Sequence, residues 1–247
     1  MSKTTSLVVS LCALVMLAQP SLADTGLLVQ SNAPWGATDP GVVMSSLSIP
    51  FDQIGQSGFA AQSLAGYSFI LLQGSDGEAD SFDAYIAPNM NKVQSYVENG
   101  GLAIVHYADW NAASVVIAPT GVQRVHVYDE TGNIVPGFEG DPLFTDVTDA
   151  SLDTWNYTSH GYLTGLPGGA DVLITNSTGE PIYARYGMGL GQVWVTTMTL
   201  EWYQADPDAL RNELALAGDF APVPIPAAAL LAVLGMGTAG LRLRRFV

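Results

Sequence analysis

The chain is poor in positive charge. It carries 8 Lys and Arg against 23 Asp and Glu in 247 residues, which gives a formal net charge of −15. All 23 acidic residues lie between Asp24 and Ala221, where the only basic residues are Lys92, Arg124, Arg185 and Arg211. A surface this acidic repels nucleic acid and anionic lipid headgroups, so we expect no nucleic-acid partner. It suits cations, and calcium is the candidate cofactor, although solubility alone is another explanation of the acidity.

Cysteine is nearly absent as well. The single cysteine, Cys12, lies in an apolar stretch from Leu7 to Ala18 that follows Lys3, and Ser21-Leu22-Ala23 then places small residues where signal peptidase reads them. This pattern predicts a secretory signal peptide over residues 1–23 with cleavage before Asp24. The exported body would then have no disulfide, no thiolate metal site and no cysteine nucleophile. Such a body does not need disulfides, because roughly 200 residues bury a sufficient core.

The C-terminus has three parts in order. A short motif, Val223-Pro224-Ile225-Pro226-Ala227, precedes an uncharged apolar run to Leu241, and the chain ends with Arg242, Arg244 and Arg245. The pattern predicts a transmembrane helix over 227–247 whose arginines stay on the cytoplasmic side. The tail resembles the bacterial PEP-CTERM sorting tails, most closely the VPLPA variant, with Ile225 in place of the usual Leu. That resemblance implies an exosortase-type processing enzyme as partner and an exopolysaccharide setting; the alternative is an ordinary membrane anchor.

One domain is expected over residues 24–220, followed by a Pro-rich linker over 221–226. Short β-rich runs alternate with helical ones, which predicts a three-layer α/β domain with a mainly parallel sheet. A long helix is predicted from Phe82 to Glu98, with Pro88 as a point of kinking or splitting. Asp39-Pro40 and Asp206-Pro207 each predict a helix start. Strands are predicted at 26–30, 51–54, 68–73, 102–107, 122–128, 171–175, 182–186 and 192–198.

Three segments of this domain carry a family resemblance. The first runs from Tyr96 to His106 and has Gly100-Gly101 before an apolar strand. The second is His160-Gly161-Tyr162-Leu163-Thr164-Gly165-Leu166-Pro167, and the third runs from Gly189 to Val195. Together they resemble the class I glutamine-amidotransferase-like superfamily, most closely its ThuA-like branch. The resemblance implies a flavodoxin-like fold. Gly161 stands where that branch has Pro. Glutamine hydrolysis needs a cysteine thiolate, which the exported body lacks, so a glutaminase is excluded.

The candidate site residues other than His160 follow the predicted strands, where ligands of such sheets bind, and His160 is expected to approach from a loop. The catalytic candidates are His106, Glu201 and His160, which together with Asp109 have the chemistry of a zinc hydrolase site. The ligand-binding candidates are Asp109, Trp110 and Trp202, because aromatic rings beside carboxylates suit sugars. The calcium candidates are Asp76, Glu78 and Asp80, whose spacing departs from the EF-hand loop.

Three functions remain open at this point. The first is an exported, membrane-tethered and sorted envelope protein with a non-glutaminase binding domain. The second is a cell-surface hydrolase of carbohydrate or envelope polymer, and the third is a calcium-dependent adhesion or matrix protein. The partners expected are signal peptidase, an exosortase-type enzyme, the membrane and polysaccharide.

Overall fold

The computed structural model describes residues 25–36, 38–111, 113–153, 156–202 and 208–221. They form a mixed α/β fold around an eight-stranded sheet with the order β2-β1-β3-β4-β11-β10-β9-β7. Its strands are β1 (Gly26–Val29), β2 (Phe51–Ile54), β3 (Phe69–Gln73), β4 (Leu102–His106), β7 (Asn133–Ile134), β9 (Asp171–Thr175), β10 (Pro181–Met188) and β11 (Gly191–Thr196). Strands β2, β1, β3, β4 and β11 are parallel, whereas β10, β9 and β7 extend the sheet as an antiparallel edge.

The central strands confirm the expectation of a sheet covered on both faces. Every residue of β3 and β4 is buried, and the two strands pair in register from Phe69 with Leu102 to Gln73 with His106. A strand buried on both faces needs a continuous apolar run, and Phe-Ile-Leu-Leu and Leu-Ala-Ile-Val supply it. The same register places Gln73 and His106 side by side at the carboxyl edge of the sheet.

Helices pack on both faces of the sheet. They are α1 (Pro40–Ser46), α2 (Ala79–Ser81), α3 (Met90–Glu98), α4 (Asp149–Leu152) and α5 (Asp208–Gly218). One core joins α1 and α5 to Leu28, Leu71 and Ile104, while the other joins α3 to Leu72 and Val105. Each buried Leu, Ile or Val contributes about 1.5–3 kcal/mol relative to exposure. The arrangement agrees with the predicted three layers.

The start of α1 is set by local chemistry that the sequence reveals. The Asp39 side chain accepts a hydrogen bond from the Gly41 amide at 2.7 Å, and Pro40 occupies the first turn. Asp satisfies an amide that has no partner inside the helix, and Pro has no amide to leave unpaired. The predicted helix start at Asp39-Pro40 is therefore confirmed. The second predicted start, Asp206-Pro207, lies outside the described residues.

The segment predicted to be helical from Phe82 to Glu98 is helical throughout, and it splits at Pro88 as the sequence suggested. The segment Phe82–Ile86 is a π-helical turn, Ala87–Asn89 is a 3-10 turn that contains Pro88, and the α-helix begins only at Met90. Pro88 has no amide to donate and its ring crowds the preceding turn, so the helical hydrogen bonds reorganise there. The apolar spacing that suggested one helix persists across the break, because Phe82, Ile86, Val93 and Val97 are all buried.

A second sheet was not expected from the sequence. It has three antiparallel strands in the order β5-β6-β8, formed by Val115–Ala118, Val122–Val125 and Tyr162–Thr164. The predicted strand over 122–128 is therefore shorter than expected and belongs to this small sheet. Strands β5, β7 and β8 have four residues or fewer, too short for alternation to reveal them.

The membrane and sorting elements fall outside this description. The predicted signal peptide 1–23, the motif from Val223 to Ala227, the helix over 227–247 and its arginines lie beyond the described residues. Within the described ranges no helix has both the length and the apolar character needed to cross a membrane.

Candidate functional site

His106 ends β4 and lies at the centre of a buried polar network. Its Nδ1 is 2.5 Å from Oε1 of Glu201, and its Nε2 is 2.6 Å from Oε2 of Glu213. The Tyr183 hydroxyl donates to Oε1 of Glu213 at 2.5 Å, and Gln73 Nε2 donates to Oε1 of Glu201 at 2.6 Å. None of these five side chains is more than 1 % exposed. We call these five residues the histidine network.

The two glutamates keep His106 charged. Burial by itself lowers the pKa of His106, but the coulombic attraction of Glu213 and Glu201 outweighs it and raises the pKa to about 10. Both ring nitrogens then carry protons that are held by carboxyl groups. A buried imidazolium in this state has no lone pair for a metal and cannot accept a proton from substrate at neutral pH.

Each glutamate reaches His106 from a different part of the chain. Glu201 lies in the 3-10 turn Leu200–Trp202 that follows β11, and its backbone carbonyl accepts a hydrogen bond from the Thr38 amide at 2.9 Å. Glu213 lies on the buried face of α5, beside Leu210 and Leu214. The network therefore adds ionic hydrogen bonds to the apolar contacts that tie α5 to β4, and it joins the turn after β11 to the end of β4.

His160 lies in a different environment made of aromatic rings. Its ring centroid is 4.3 Å from that of Trp110, 4.8 Å from Trp35 and 5.2 Å from Tyr128. Tyr157 packs on Trp110 at 5.3 Å and on Tyr128 at 5.4 Å, with interplanar angles of 74° and 72°. These edge-to-face contacts are the favoured geometry for aromatic pairs. We call Trp35, Trp110, Tyr128, Tyr157 and His160 the aromatic cluster.

The backbone of Trp35 supports the same picture of a tightly held cluster. Trp35 has a φ of 56°, in the left-handed region that a bulky side chain adopts only when its surroundings hold it there. Its ring lies 5.7 Å from Trp110 and also packs on His160. The cluster thus joins the turn after β1 to the loops after β4 and before β8.

Arg124 holds the loops that carry the cluster. This arginine on β6 is fully buried, and its Nε donates to the His160 carbonyl at 2.8 Å. Its two terminal nitrogens donate to the carbonyls of Asp109, Asn111 and Ala113, on either side of Trp110. Oδ2 of Asp109 is 3.9 Å from Nη1 of Arg124. The planar guanidinium suits this role because it presents five fixed donors.

The environment of His160 keeps its ring neutral. Burial lowers the pKa of His160 to about 3, and the positive charge of Arg124 contributes in the same direction. A hydrogen bond with the Asp109 backbone opposes this shift only in part. His160 is therefore an aromatic packing residue at neutral pH.

The structure divides the predicted catalytic set between two places. His106 and Glu201 do come together, as the sequence hypothesis requires, whereas His160 packs with Trp110 in the aromatic cluster. Asp109 is buried and held by Arg124. Trp202, another ligand candidate, is partly buried in the turn next to Glu201. The proposed ligand set of a zinc hydrolase is thus not assembled around one point.

The three calcium candidates have separate roles. Oδ1 of Asp76 accepts a hydrogen bond from the Trp110 indole at 3.2 Å. Glu78 is buried, and its carboxylate accepts the amides of Ser31 and Asn32 at 2.7 and 2.9 Å. Asp80 is exposed. Over the ranges that the structure describes, no group of three or more acidic, His or Cys side chains is arranged to hold a metal ion.

Sequence reasoning missed the partners that decide how the histidines behave. The missed residues are Glu213, Tyr183, Gln73, Arg124 and Tyr128. One signal was available for Glu213, because it occupies the apolar stripe formed by Leu210, Leu214 and Ala217 at helical spacing. A charged residue on a stripe of this kind is almost never buried without a partner.

Beside the aromatic cluster lies an open cleft of about 450 Å³. We call it the tyrosine cleft, and its lining residues are Tyr128, Asp129, Glu130, Thr131, Asn156, Tyr157 and Ser177. Tyr128 and Tyr157 belong to both the cluster and the cleft. The cleft is therefore where the aromatic cluster reaches the surface. Within the part of the chain that the structure describes, we take it as the candidate binding site.

Comparison with known proteins gives the fold and no activity. No protein-family model matches the chain. A curated relative, Uncharacterized protein CA_P0160 of Clostridium acetobutylicum, is 23% identical over 174 residues, which are 66% of this chain but only 18% of that protein. Cytoplasmic protein STM3548 of Salmonella typhimurium has a similar structure, with a TM-score of 0.55 at 10% identity over 81% of this chain and 99% of that chain.

A β-galactosidase from Rahnella sp. R3 is similar at a lower level. The TM-score is 0.48 at 13% identity, over 82% of this chain and 32% of that chain. A similarity of this size carries no functional argument. The α/β fold with its large, mostly parallel sheet is supported by the similarity to STM3548.

Proposed function

We propose that this chain is an exported, membrane-tethered envelope protein whose α/β domain binds a ligand without turning it over. The domain belongs to the flavodoxin-like, class I glutamine-amidotransferase-like group in this proposal. Its strand order supports that assignment, because β2-β1-β3-β4 followed by a fifth parallel strand is the flavodoxin-like order. The C-terminal segment 227–247 is the membrane anchor and sorting tail.

The observation that carries the binding hypothesis is the state of His106. A hydrolase would need the histidine at the end of β4 to face a substrate or a metal. His106 is instead fully buried, with both nitrogens within 2.6 Å of glutamate oxygens. Ligand contact then falls to exposed side chains, among them Tyr128, which is 38 % accessible and lines the tyrosine cleft.

Two sequence features support export and tethering. The apolar stretch after Lys3 with its small residues before Asp24 is typical of a secretory signal. The Pro-containing motif, apolar run and terminal arginines are typical of a sorted membrane anchor, for which signal peptidase and an exosortase-type enzyme are the processing partners. The acidic composition of residues 24–221 suits a protein that stays soluble outside the cytoplasm.

Fractionation of a bacterium that expresses the full chain tests export. We expect the recovered protein to begin at Asp24 and to sediment with membranes, and a variant that ends at Ala221 to move to the soluble extracytoplasmic fraction. Leu11→Arg places a charge in the apolar stretch and should retain the uncut chain inside the cell, which makes it the matched control. Uncut wild-type protein in the cytosol would refute the proposal.

Turnover assays test the absence of catalysis. The purified full chain is incubated with chromogenic glycosides and esters, and with polysaccharides followed by reducing-end release. We expect rates equal to those without protein. Hydrolysis that disappears in Glu201→Gln while the circular dichroism spectrum is retained would favour the hydrolase instead.

A thermal melt tests the calcium alternative. Under the binding proposal, millimolar calcium leaves the melting temperature of the full chain unchanged, because the described carboxylates are spread over separate roles. A calcium-dependent rise that Asp76→Asn abolishes would favour the adhesion protein.

A further inference from the structure

The described lining of the tyrosine cleft is aromatic and polar. It comprises two tyrosines, two carboxylates, one amide and two hydroxyl side chains, and none of these described residues is basic. The volume of about 450 Å³ lies within the roughly 300–1,000 Å³ typical of small-ligand pockets. The two carboxylates disfavour phosphate, sulfate and acidic sugars as ligands, because like charges repel.

The aromatic part of the lining is supported from behind. Tyr128 and Tyr157 lie 5.4 Å apart, and both pack against Trp110, at 5.4 and 5.3 Å. The Tyr128 hydroxyl also donates to the Trp110 carbonyl at 3.0 Å. Side chains held in this way lose little conformational entropy when a ligand binds.

The polar part of the lining is also ordered by the fold. Oδ1 of Asp129 accepts the Thr131 amide at 2.9 Å, and its Oδ2 accepts the Ser177 hydroxyl at 2.5 Å. Asp129 pairs through its backbone with Ser159, so this wall is joined to the segment that carries Tyr157. Glu130 and Asn156 also line the cleft, and both are exposed to solvent.

We propose that the tyrosine cleft is a binding site for a neutral oligosaccharide. The apolar face of a sugar ring stacks on Tyr128 or Tyr157, and its hydroxyls donate to Glu130 and to the amide oxygen of Asn156. A sugar supplies both an apolar face and many donors, which is what aromatic rings beside carboxylates recognise. The inference deepens the proposed function by naming the ligand class of its binding domain.

Isothermal titration of the full chain tests this inference. The protein is purified in a detergent without a sugar headgroup, and the probes are cellohexaose, laminarihexaose and xylohexaose, with hexagalacturonate and spermidine as anionic and cationic comparisons. We expect saturable binding of at least one neutral probe. Tyr128→Ala and Tyr157→Ala should each weaken it by about tenfold or more, because each removes a stacking surface.

Two kinds of variant keep this result interpretable. Tyr128→Phe and Tyr157→Phe retain the ring and should retain most of the affinity. Tyr85→Ala removes another exposed tyrosine, 43 % accessible on the π-helical turn Phe82–Ile86, and should leave binding unchanged. Glu130→Gln keeps an acceptor and should cost a few-fold at most.

The outcomes separate this inference from the proposed function. It is overturned if no neutral probe binds up to about 10 mM, if spermidine binds in their place, or if sugar binding survives loss of both rings. Those results leave an exported, non-catalytic protein intact. Hydrolysis of a probe during the titration would instead overturn the proposed function.

Discussion

His106 and His160 are both completely buried, yet the fold treats them in opposite ways. His106 lies between two carboxyl groups, and the pKa of its ring is raised to about 10. His160 lies among aromatic rings near Arg124, and the pKa of its ring is lowered to about 3. Burial opposes the charged form at both sites, so the neighbours decide which form survives. The comparison shows that burial alone predicts neither the protonation state of a histidine nor its role in the structure.

The two sites also differ in their exposure to solvent. The histidine network is closed to solvent, because its five side chains are buried and bond to one another below the surface. The aromatic cluster is closed around His160 but open at Trp110 and Tyr128. A polar centre that stabilises and an aromatic rim that binds therefore occupy neighbouring loops at the same end of the sheet.

Replacing the charged histidine should have the largest effect. His106→Leu leaves Glu201 and Glu213 buried without their cation, and we expect a loss of about 3–5 kcal/mol in the free energy of unfolding. Urea unfolding at neutral pH measures it. Tyr183→Phe removes one hydrogen bond to a charged group and should cost about 1.5–3 kcal/mol. A smaller loss for His106→Leu than for Tyr183→Phe would contradict the charged network.

Replacing Arg124, which holds the loop of His160, should have the second largest effect on stability. Arg124→Lys keeps the positive charge but cannot reach the carbonyls of Asp109, Asn111, Ala113 and His160 together. We expect a loss of about 2–3 kcal/mol in urea unfolding, together with a change in tryptophan fluorescence as the loop of Trp110 loosens. Arg211→Lys, on the exposed side of α5, is the control and should change neither quantity.

The dependence of stability on pH sharpens the comparison further. Native His106 keeps its proton up to about pH 10 whereas an unfolded histidine releases it near 6.5, so stability falls as pH rises through that window. Native His160 stays neutral down to about pH 3 whereas the unfolded chain takes up a proton below 6.5, so stability falls as pH drops. On the alkaline limb and on the acid limb of this profile, the free energy of unfolding should fall by about 1.4 kcal/mol per pH unit.

Urea unfolding across that pH range measures both limbs. Wild-type stability should be greatest near pH 6.5. His160→Phe should flatten the acid limb and leave the alkaline one. Stability that rises steadily from acid to alkaline pH would show that the charge states of the two histidines are assigned wrongly.

The smallest effect is expected at the exposed rim of the aromatic cluster. Tyr128→Phe loses only the hydrogen bond to the Trp110 carbonyl and keeps the ring contacts. We expect a loss of about 0.5–1 kcal/mol in a thermal or urea melt. A loss as large as that of Arg124→Lys would mean that the rim is part of the stabilising structure rather than a surface for binding.

The central sheet was predictable because local pattern determines it. The apolar runs at 69–72 and 102–105 allow little besides a buried strand, and Asp39-Pro40 specifies a helix start through its own hydrogen bond. The helical segment over 82–98 and its split at Pro88 were also predictable, but the change of helical type was not, because the apolar spacing persists across it. In the small sheet only β6 shows alternation, and β5 and β8 carry too few residues to reveal the sheet.

The candidate site was less predictable than the sheet. The strand ends pointed to His106 and Glu201, which do lie together, but no residue of the tyrosine cleft was among the predicted site residues. The role of His106 depends on Glu213, which is 107 residues away in the chain, and no local spacing reveals such a partner. The surroundings of His160 likewise depend on Arg124, which acts through backbone carbonyls that every residue possesses.

The position of the Arg124 side chain depends on the absence of a side chain at Gly161. A Cβ built there would lie 2.6 Å from Cγ of Arg124 and 2.7 Å from the Val125 carbonyl oxygen. The carbonyl oxygen belongs to the backbone of β6 and cannot move aside as the end of a flexible side chain can. Arginine at 124 and glycine at 161 are therefore a matched choice. A protein of this shape that places proline at 161, as the ThuA-like segment does, would have to reroute its guanidinium, and the loop bearing Trp110 would lose its internal support.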